Sequence, residues 1–277
     1  MKKTIFKRLF LFLPLLFVAL IWSTDTISNA PLILNVPSIT QVDVFETRWL
    51  YFGLHLFSFI PVFLLSFDKR VHYVTSWKKL FPAIIIIAIP FILWDIVFTS
   101  WRVWGFNEIY HQEFTLFGLP IEEILFFFVI PFCSIFIYEC LQYYFPRDIL
   151  APLDKLINLG IGGLMIVIGL FYYDRIYTST TFLLTGGFMI VHYLYFKNTY
   201  RTRFYLSYLI TWLPFILIDG VLTGGYTQEP VVIYHPEEFL NLRISSVPFE
   251  DSIYGLLLLM LNMSLFTHFK GENIVRN

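Results

Sequence analysis

Apolar residues fall in long unbroken runs along this chain, with short polar stretches between them. Eight runs can be drawn, at about residues 5–22, 48–67, 80–99, 119–143, 156–173, 180–197, 204–223 and 248–268. Most approach the roughly 20 residues that a helix needs to cross a hydrocarbon core of about 30 Å. A segment inside lipid must satisfy its own backbone hydrogen bonds, so each run predicts a helix. A membrane barrel would instead alternate apolar and polar positions with period two. Stretches such as 83–89 and 256–261 show no such alternation. The expected fold is an all-α integral membrane protein with seven to eight transmembrane helices.

The polar stretches carry a topological signal. With the N-terminus in the cytoplasm, 15 of the 19 Lys and Arg residues fall on the cytoplasmic side, and only Arg48, Arg102, Arg175 and Arg243 fall outside. This bias sets orientation and predicts a multi-pass protein of the cell membrane with both termini cytoplasmic. The first run admits two readings. It is an uncleaved helix, or it is a signal peptide whose basic start and apolar stretch lead to Ser28-Asn29-Ala30.

Two parts of the chain repeat each other. Pro90-Phe91-Ile92-Leu93-Trp94-Asp95 matches Pro214-Phe215-Ile216-Leu217-Ile218-Asp219, and Leu119-Pro120-Ile121-Glu122-Glu123 matches Val247-Pro248-Phe249-Glu250-Asp251. The spacing agrees as well: Asp95 to Glu122 is 27 positions and Asp219 to Glu250 is 31. Each repeat holds three predicted helices, with one helix between the repeats, so both halves enter the membrane in the same direction. That is the parallel case, with an axis along the membrane normal. The predicted organisation is an N-terminal segment (1–45), a first repeat (46–150), a linking helix (151–178) and a second repeat (179–277).

Composition supports a membrane class and excludes others. Hydrophobic residues make up 57% of the chain and charged residues 14%, against about 25% charged in soluble domains. No basic patch suggests nucleic acid. Cys133 and Cys140 lie two turns apart on one predicted helix face, too far apart to bridge. The six histidines do not cluster as ligands of a di-iron centre would, and no Gly-rich loop follows a strand, so no metal and no dinucleotide cofactor is expected. Gly160, Gly162, Gly163, Gly186 and Gly187 lie in apolar runs and predict close helix packing.

Chemistry is expected at the repeated acids. Ionisable groups in membrane helices are costly and mark functional sites by default. A plainer reading exists for some of them. Pro120 and Pro248 suit helix starts, and acids just after them are stabilised by the helix dipole. Duplication of the motif, each copy with an upstream aspartate, favours function. The candidate catalytic set is therefore Glu122, Glu123, Glu250, Asp251, Asp95 and Asp219. Phe126, Phe127, Trp94, Trp104 and Tyr254 are candidate substrate contacts, because aromatic faces stabilise a cation.

The run Pro120-Ile121-Glu122-Glu123-Ile124-Leu125-Phe126-Phe127-Phe128-Val129-Ile130-Pro131 resembles the signature of the heterodimer-type lycopene cyclases. The segment Val247–Gly255 resembles that of their partner subunit, and Asp219–Gly224 and Trp104–Asn107 are also similar to family segments. The chain looks like both subunits fused, over residues 46–270. The resemblance implies a carotenoid biosynthesis enzyme, a redox-neutral isomerase that takes lycopene to β-carotene through γ-carotene, with no flavin. Independent chemistry agrees. Cyclising a polyene end needs a proton donor and then a base, and two neighbouring acids in apolar surroundings provide both. Three alternatives remain open. One is a cyclase of an elongated C50 carotenoid giving other ring types. Another is a membrane carrier with paired intramembrane acids. The third is a non-catalytic carotenoid- or lipid-binding protein. The sequence leaves the oligomeric state open.

Overall fold

The computed structural model of the protein describes Leu32 and residues 39–272. The run at 5–22, expected as a helix or signal segment, lies outside the described residues. Seven α-helices dominate what is described: α1 (Leu50–Leu65), α2 (Trp77–Ser100), α3 (Ile121–Tyr144), α4 (Gly162–Phe171), α5 (Ile176–Tyr195), α6 (Arg201–Leu222) and α7 (Phe249–Lys270). Each answers one of the apolar runs to within about four residues, provided that the π-helical turn before α4 is counted with α4. A six-residue π-helical stretch, Leu156–Ile161, leads into α4.

Among the described residues, four helical spans are long and apolar enough to cross a membrane: Tyr73–Ser100, Ile121–Tyr144, Arg201–Leu222 and Phe249–Lys270. The α1 helix and the Leu156–Phe171 helix are apolar but shorter. The α5 helix has the length, but threonine, serine and glycine dilute its hydropathy. Thr178, Ser179, Thr180, Thr181 and Thr185 are buried against protein, where hydroxyls can bond to helix carbonyls, as Thr185 does to Thr181.

The chain is not helical throughout. Among the described residues, three two-stranded antiparallel sheets lie in the loops: β1 (Trp104–Phe106) with β4 (Val232–Tyr234), β2 (Thr115–Leu116) with β3 (Leu119–Pro120), and β5 (Arg243–Ile244) with β6 (Val247–Pro248). Strands of two or three residues are too short to show a period, so the sequence pattern gives no sign of them. The β2–β3 turn places Phe117 (φ 56°) and Gly118 (φ 83°) in the left-handed region, as a tight two-residue hairpin requires. Pro120 and Pro248 then stand immediately before α3 and α7, so each hairpin delivers its acids into the first helical turn.

Helix packing pairs the two sections of the chain. The α1 helix packs on α3 and α5 packs on α7; α2 packs on α7 and α6 packs on α3. The α7 helix is nearly all buried, including 256–263. The α4 helix packs on α5 through glycine: a Cβ on Gly186 would stand 2.5 Å from the Gly162 carbonyl oxygen. Gly163 and Gly187 have open space instead, so the expected close packing belongs to one glycine of each pair. Arg201, counted among loop cations in the sequence, is fully buried. It makes a two-pronged ion pair with Asp154, at 2.8 and 2.6 Å, and its Nη1 lies 2.8 Å from His192 Nδ1. This network ties the segment before α4 to α5 and α6.

Candidate active site

A cavity of about 340 Å³ lies between α1, α3, α6 and α7. Its wall is mostly apolar, from Phe57 and Pro61 on α1, Ile130 and Ile137 on α3, and Phe215 and Leu217 on α6. Fourteen residues of α3 separate Glu123 from Ile137, so the groove extends about 21 Å along that helix. Phe57 and Leu217 flank it and are 73% and 57% exposed. The groove therefore opens sideways between α1 and α6, towards the surroundings of the helices.

Acids gather at one end. Glu123, Asp219 and Asp251 line the cavity. The Glu123 carboxyl lies within interaction range of that of Asp95, and the Asp219 carboxyl within range of that of Asp251. Tyr51 donates to Glu123 Oε2 at 2.6 Å. The Trp104 indole N–H donates to Asp95 Oδ1 at 2.5 Å, and Thr99 lies at the limit of bonding to the same oxygen, at 3.5 Å. Tyr177 donates to Asp251 Oδ1 at 2.5 Å and Tyr234 to Asp251 Oδ2 at 2.7 Å. Arg243 stacks over the Tyr234 ring at 5.7 Å, and its charge acts on Asp219 and Asp251.

The expected acids thus divide. Glu122 and Glu250 do not line the cavity. Successive residues of a helix point about 100° apart, so Glu123 and Asp251 face the groove while their neighbours face the loops. Glu122 Oε1 accepts from the Gln112 backbone N–H at 3.0 Å, and its own carbonyl accepts from His55 Nε2 at 2.7 Å. Glu250 Oε1 accepts from the Leu240 backbone N–H at 2.8 Å and from Thr178 at 2.6 Å. Both bonds to backbone reach ten residues back, and both hold the hairpin loop that precedes the helix.

The aromatic candidates divide in the same way. Trp104, Phe126 and Tyr254 line the cavity, whereas Phe127 and Trp94 do not. Trp94 lies behind Tyr254, with ring centroids 5.1 Å apart, and Phe127 packs on Phe91 at 6.2 Å. Tyr51, Tyr177 and Tyr234 were not singled out from the sequence. Isolated tyrosines carry no local signal in a chain with 17 of them. Tyr51 and Tyr177 are, however, the second residues of α1 and α5, so extending the internal repeat upstream would have paired them. Among the described residues no group of His, Cys, Asp and Glu has the arrangement to hold a metal ion.

The family model for lycopene cyclases matches residues 48–141 and 174–269. Those two stretches hold all six acids and cover well over half of the chain. The chain belongs to the lycopene cyclase family. No characterised protein and no solved structure matches it. As a member of this family the chain is a carotenoid cyclase, and its apolar helices make it a membrane protein. An apolar groove with acids at one end suits a hydrocarbon substrate, which offers no polar handle and binds by shape and apolar area.

Proposed function

We propose that the chain cyclises both ends of lycopene to β-carotene, by way of the monocyclic γ-carotene. The observation that carries this reading is the meeting of two carboxyl pairs, Asp95–Glu123 and Asp219–Asp251, at the end of an apolar groove. A carboxylic acid protonates the terminal carbon–carbon double bond of the polyene and leaves a tertiary cation. The next double bond attacks that cation and closes a six-membered ring. A carboxylate then removes a ring proton, and the electrons of that C–H bond form the ring double bond. One proton enters and one leaves, so product and substrate are isomers. The rings of Trp104, Tyr254 and Phe126 border this end of the groove, where aromatic faces favour a passing cation.

In this reading Glu123, Asp251, Asp95 and Asp219 handle protons, and Glu122 and Glu250 hold the hairpin loops in register. The proposed architecture is two parallel three-helix repeats, 46–150 and 179–277, joined by 151–178. The cross-packing of α2 on α7 and of α6 on α3 supports a two-fold relation along the membrane normal. With both termini in the cytoplasm, the acids lie near the outer face. The lateral opening between α1 and α6 admits one polyene end at a time.

Pigment chromatography of lycopene-accumulating bacterial cells that express the chain tests the proposal. Lycopene should give way to γ- and β-carotene, in a ratio that shows whether both ends react. Unchanged lycopene, with the protein present in the membrane, would refute it.

A further inference from the structure

The two acid pairs are alike in outline but not in their hydrogen bonds. In the first pair the outside donors are shared: Tyr51 serves Glu123 and Trp104 serves Asp95. In the second they are not. Tyr177 and Tyr234 both serve Asp251, one on each oxygen; among the described residues Asp219 Oδ2 meets no donor, and neither does Asp95 Oδ2, but Asp95 keeps the Trp104 bond on its other oxygen. The extra donor has a definite origin. Within the β1–β4 pairing, Trp104 stands opposite Tyr234 and Phe106 opposite Val232. Phe106 and Tyr234 are thus corresponding ends of the two strands, and only the second carries a hydroxyl.

Two neighbouring carboxyls avoid repulsion by sharing one proton. The proton stays on the member that receives fewer outside hydrogen bonds, because such bonds favour the ionised partner. In the second pair that rule puts the proton on Asp219 and leaves Asp251 a carboxylate facing the groove. In the first pair Tyr51 serves Glu123, while Trp104, with Thr99 at 3.5 Å, serves Asp95, so the proton can rest on Glu123, which also faces the groove.

We propose a division of labour resting on the cyclase reading: Glu123, backed by Asp95, donates the proton, and Asp251, held by the positioning residues Tyr177 and Tyr234, removes the ring proton. The Glu123 O–H bond breaks as the new C–H bond forms at the polyene end. The ring C–H bond breaks as Asp251 gains its proton. The set ends with one proton displaced, and that proton returns to Glu123 before the next end reacts.

The test uses the whole chain in lycopene-accumulating cells, with membrane abundance measured by immunoblot and ring types resolved by chromatography. Tyr234→Phe and Tyr177→Phe should each slow turnover roughly ten-fold. Each should also yield a fraction of rings with the double bond at another position, since the base is no longer fixed against one ring proton. Tyr51→Phe should slow turnover and leave the ring type unchanged. A merely structural role would lower the amount of protein without moving the ring ratio. If Tyr234→Phe fails to accumulate, Tyr177→Phe carries the same readout. Wild-type ring ratios with turnover within two-fold in the tyrosine variants of Asp251 would overturn the division, as would a changed ring ratio in Tyr51→Phe alone. An unaltered chain that leaves lycopene untouched would overturn the underlying cyclase reading and this division with it.

Discussion

Neighbouring acids in each motif meet different partners because a helix turns them apart. Glu123 and Asp251 meet tyrosine hydroxyls at the groove, while Glu122 and Glu250 meet backbone N–H groups of the preceding loops. The amide variants should separate the two roles. Glu123→Gln and Asp251→Asn should cost at least about 100-fold in lycopene turnover, the usual scale for a lost acid or base. Glu122→Gln and Glu250→Gln keep an oxygen that accepts the loop N–H, so turnover per unit of membrane protein should stay within a few-fold. Glu122→Ala removes that acceptor and should lower stability by about 1–3 kcal/mol, read as a lower melting temperature in detergent. Equal losses in Glu122→Gln and Glu123→Gln would refute this separation.

Elements fit together here through small residues and tight turns. The α4 and α5 helices touch at Gly162 and Gly186, where any side chain meets the other backbone. Gly186→Val should push α4 away and destabilise the fold by about 1–3 kcal/mol, the usual range for overpacking. Less protein should survive detergent extraction, and the surviving fraction should retain turnover, because the contact lies about 14 Å along α5 from Tyr177. At the β2–β3 turn, Gly118 adopts φ 83°, and a Cβ there costs about 1–2 kcal/mol. Gly118→Ala should therefore lower the melting temperature even though a Cβ at that position meets no atom. A melting temperature unchanged from wild type would show that the hairpin does not need its left-handed turn.

The whole molecule supplies the groove, which no single helix contains. Its walls come from α1, α3, α6 and α7, and Phe57 and Leu217 mark its open flank. On α6, Ile218 occupies the place in the repeated motif that Trp94 occupies on α2. Trp94 is buried and packs edge-on against Tyr254, whereas Ile218 lines the cavity. Ile218→Trp should fill the groove near Asp219 and reduce turnover to below about a tenth, with the protein still folded. Size-exclusion chromatography in detergent checks the fold and pigment analysis checks the activity; wild-type turnover would place the substrate elsewhere.

The apolar runs determined where the helices lie, since length and hydropathy alone decide which segments can cross lipid. The duplicated acid motifs determined which six carboxyls deserve notice, because buried charge is rare without a function. The same reasoning made no distinction between Glu122 and Glu123, or between Phe126 and Phe127, since a run of adjacent residues does not say which one faces inward. That direction depends on which helices pack against α3, and α1 and α6 bring the groove to Glu123 and Phe126. Tyr51, Tyr177 and Tyr234 reach the acids across 72, 74 and 17 residues of chain. Contacts between residues so far apart in sequence leave no local pattern, and only the tertiary structure brings them together.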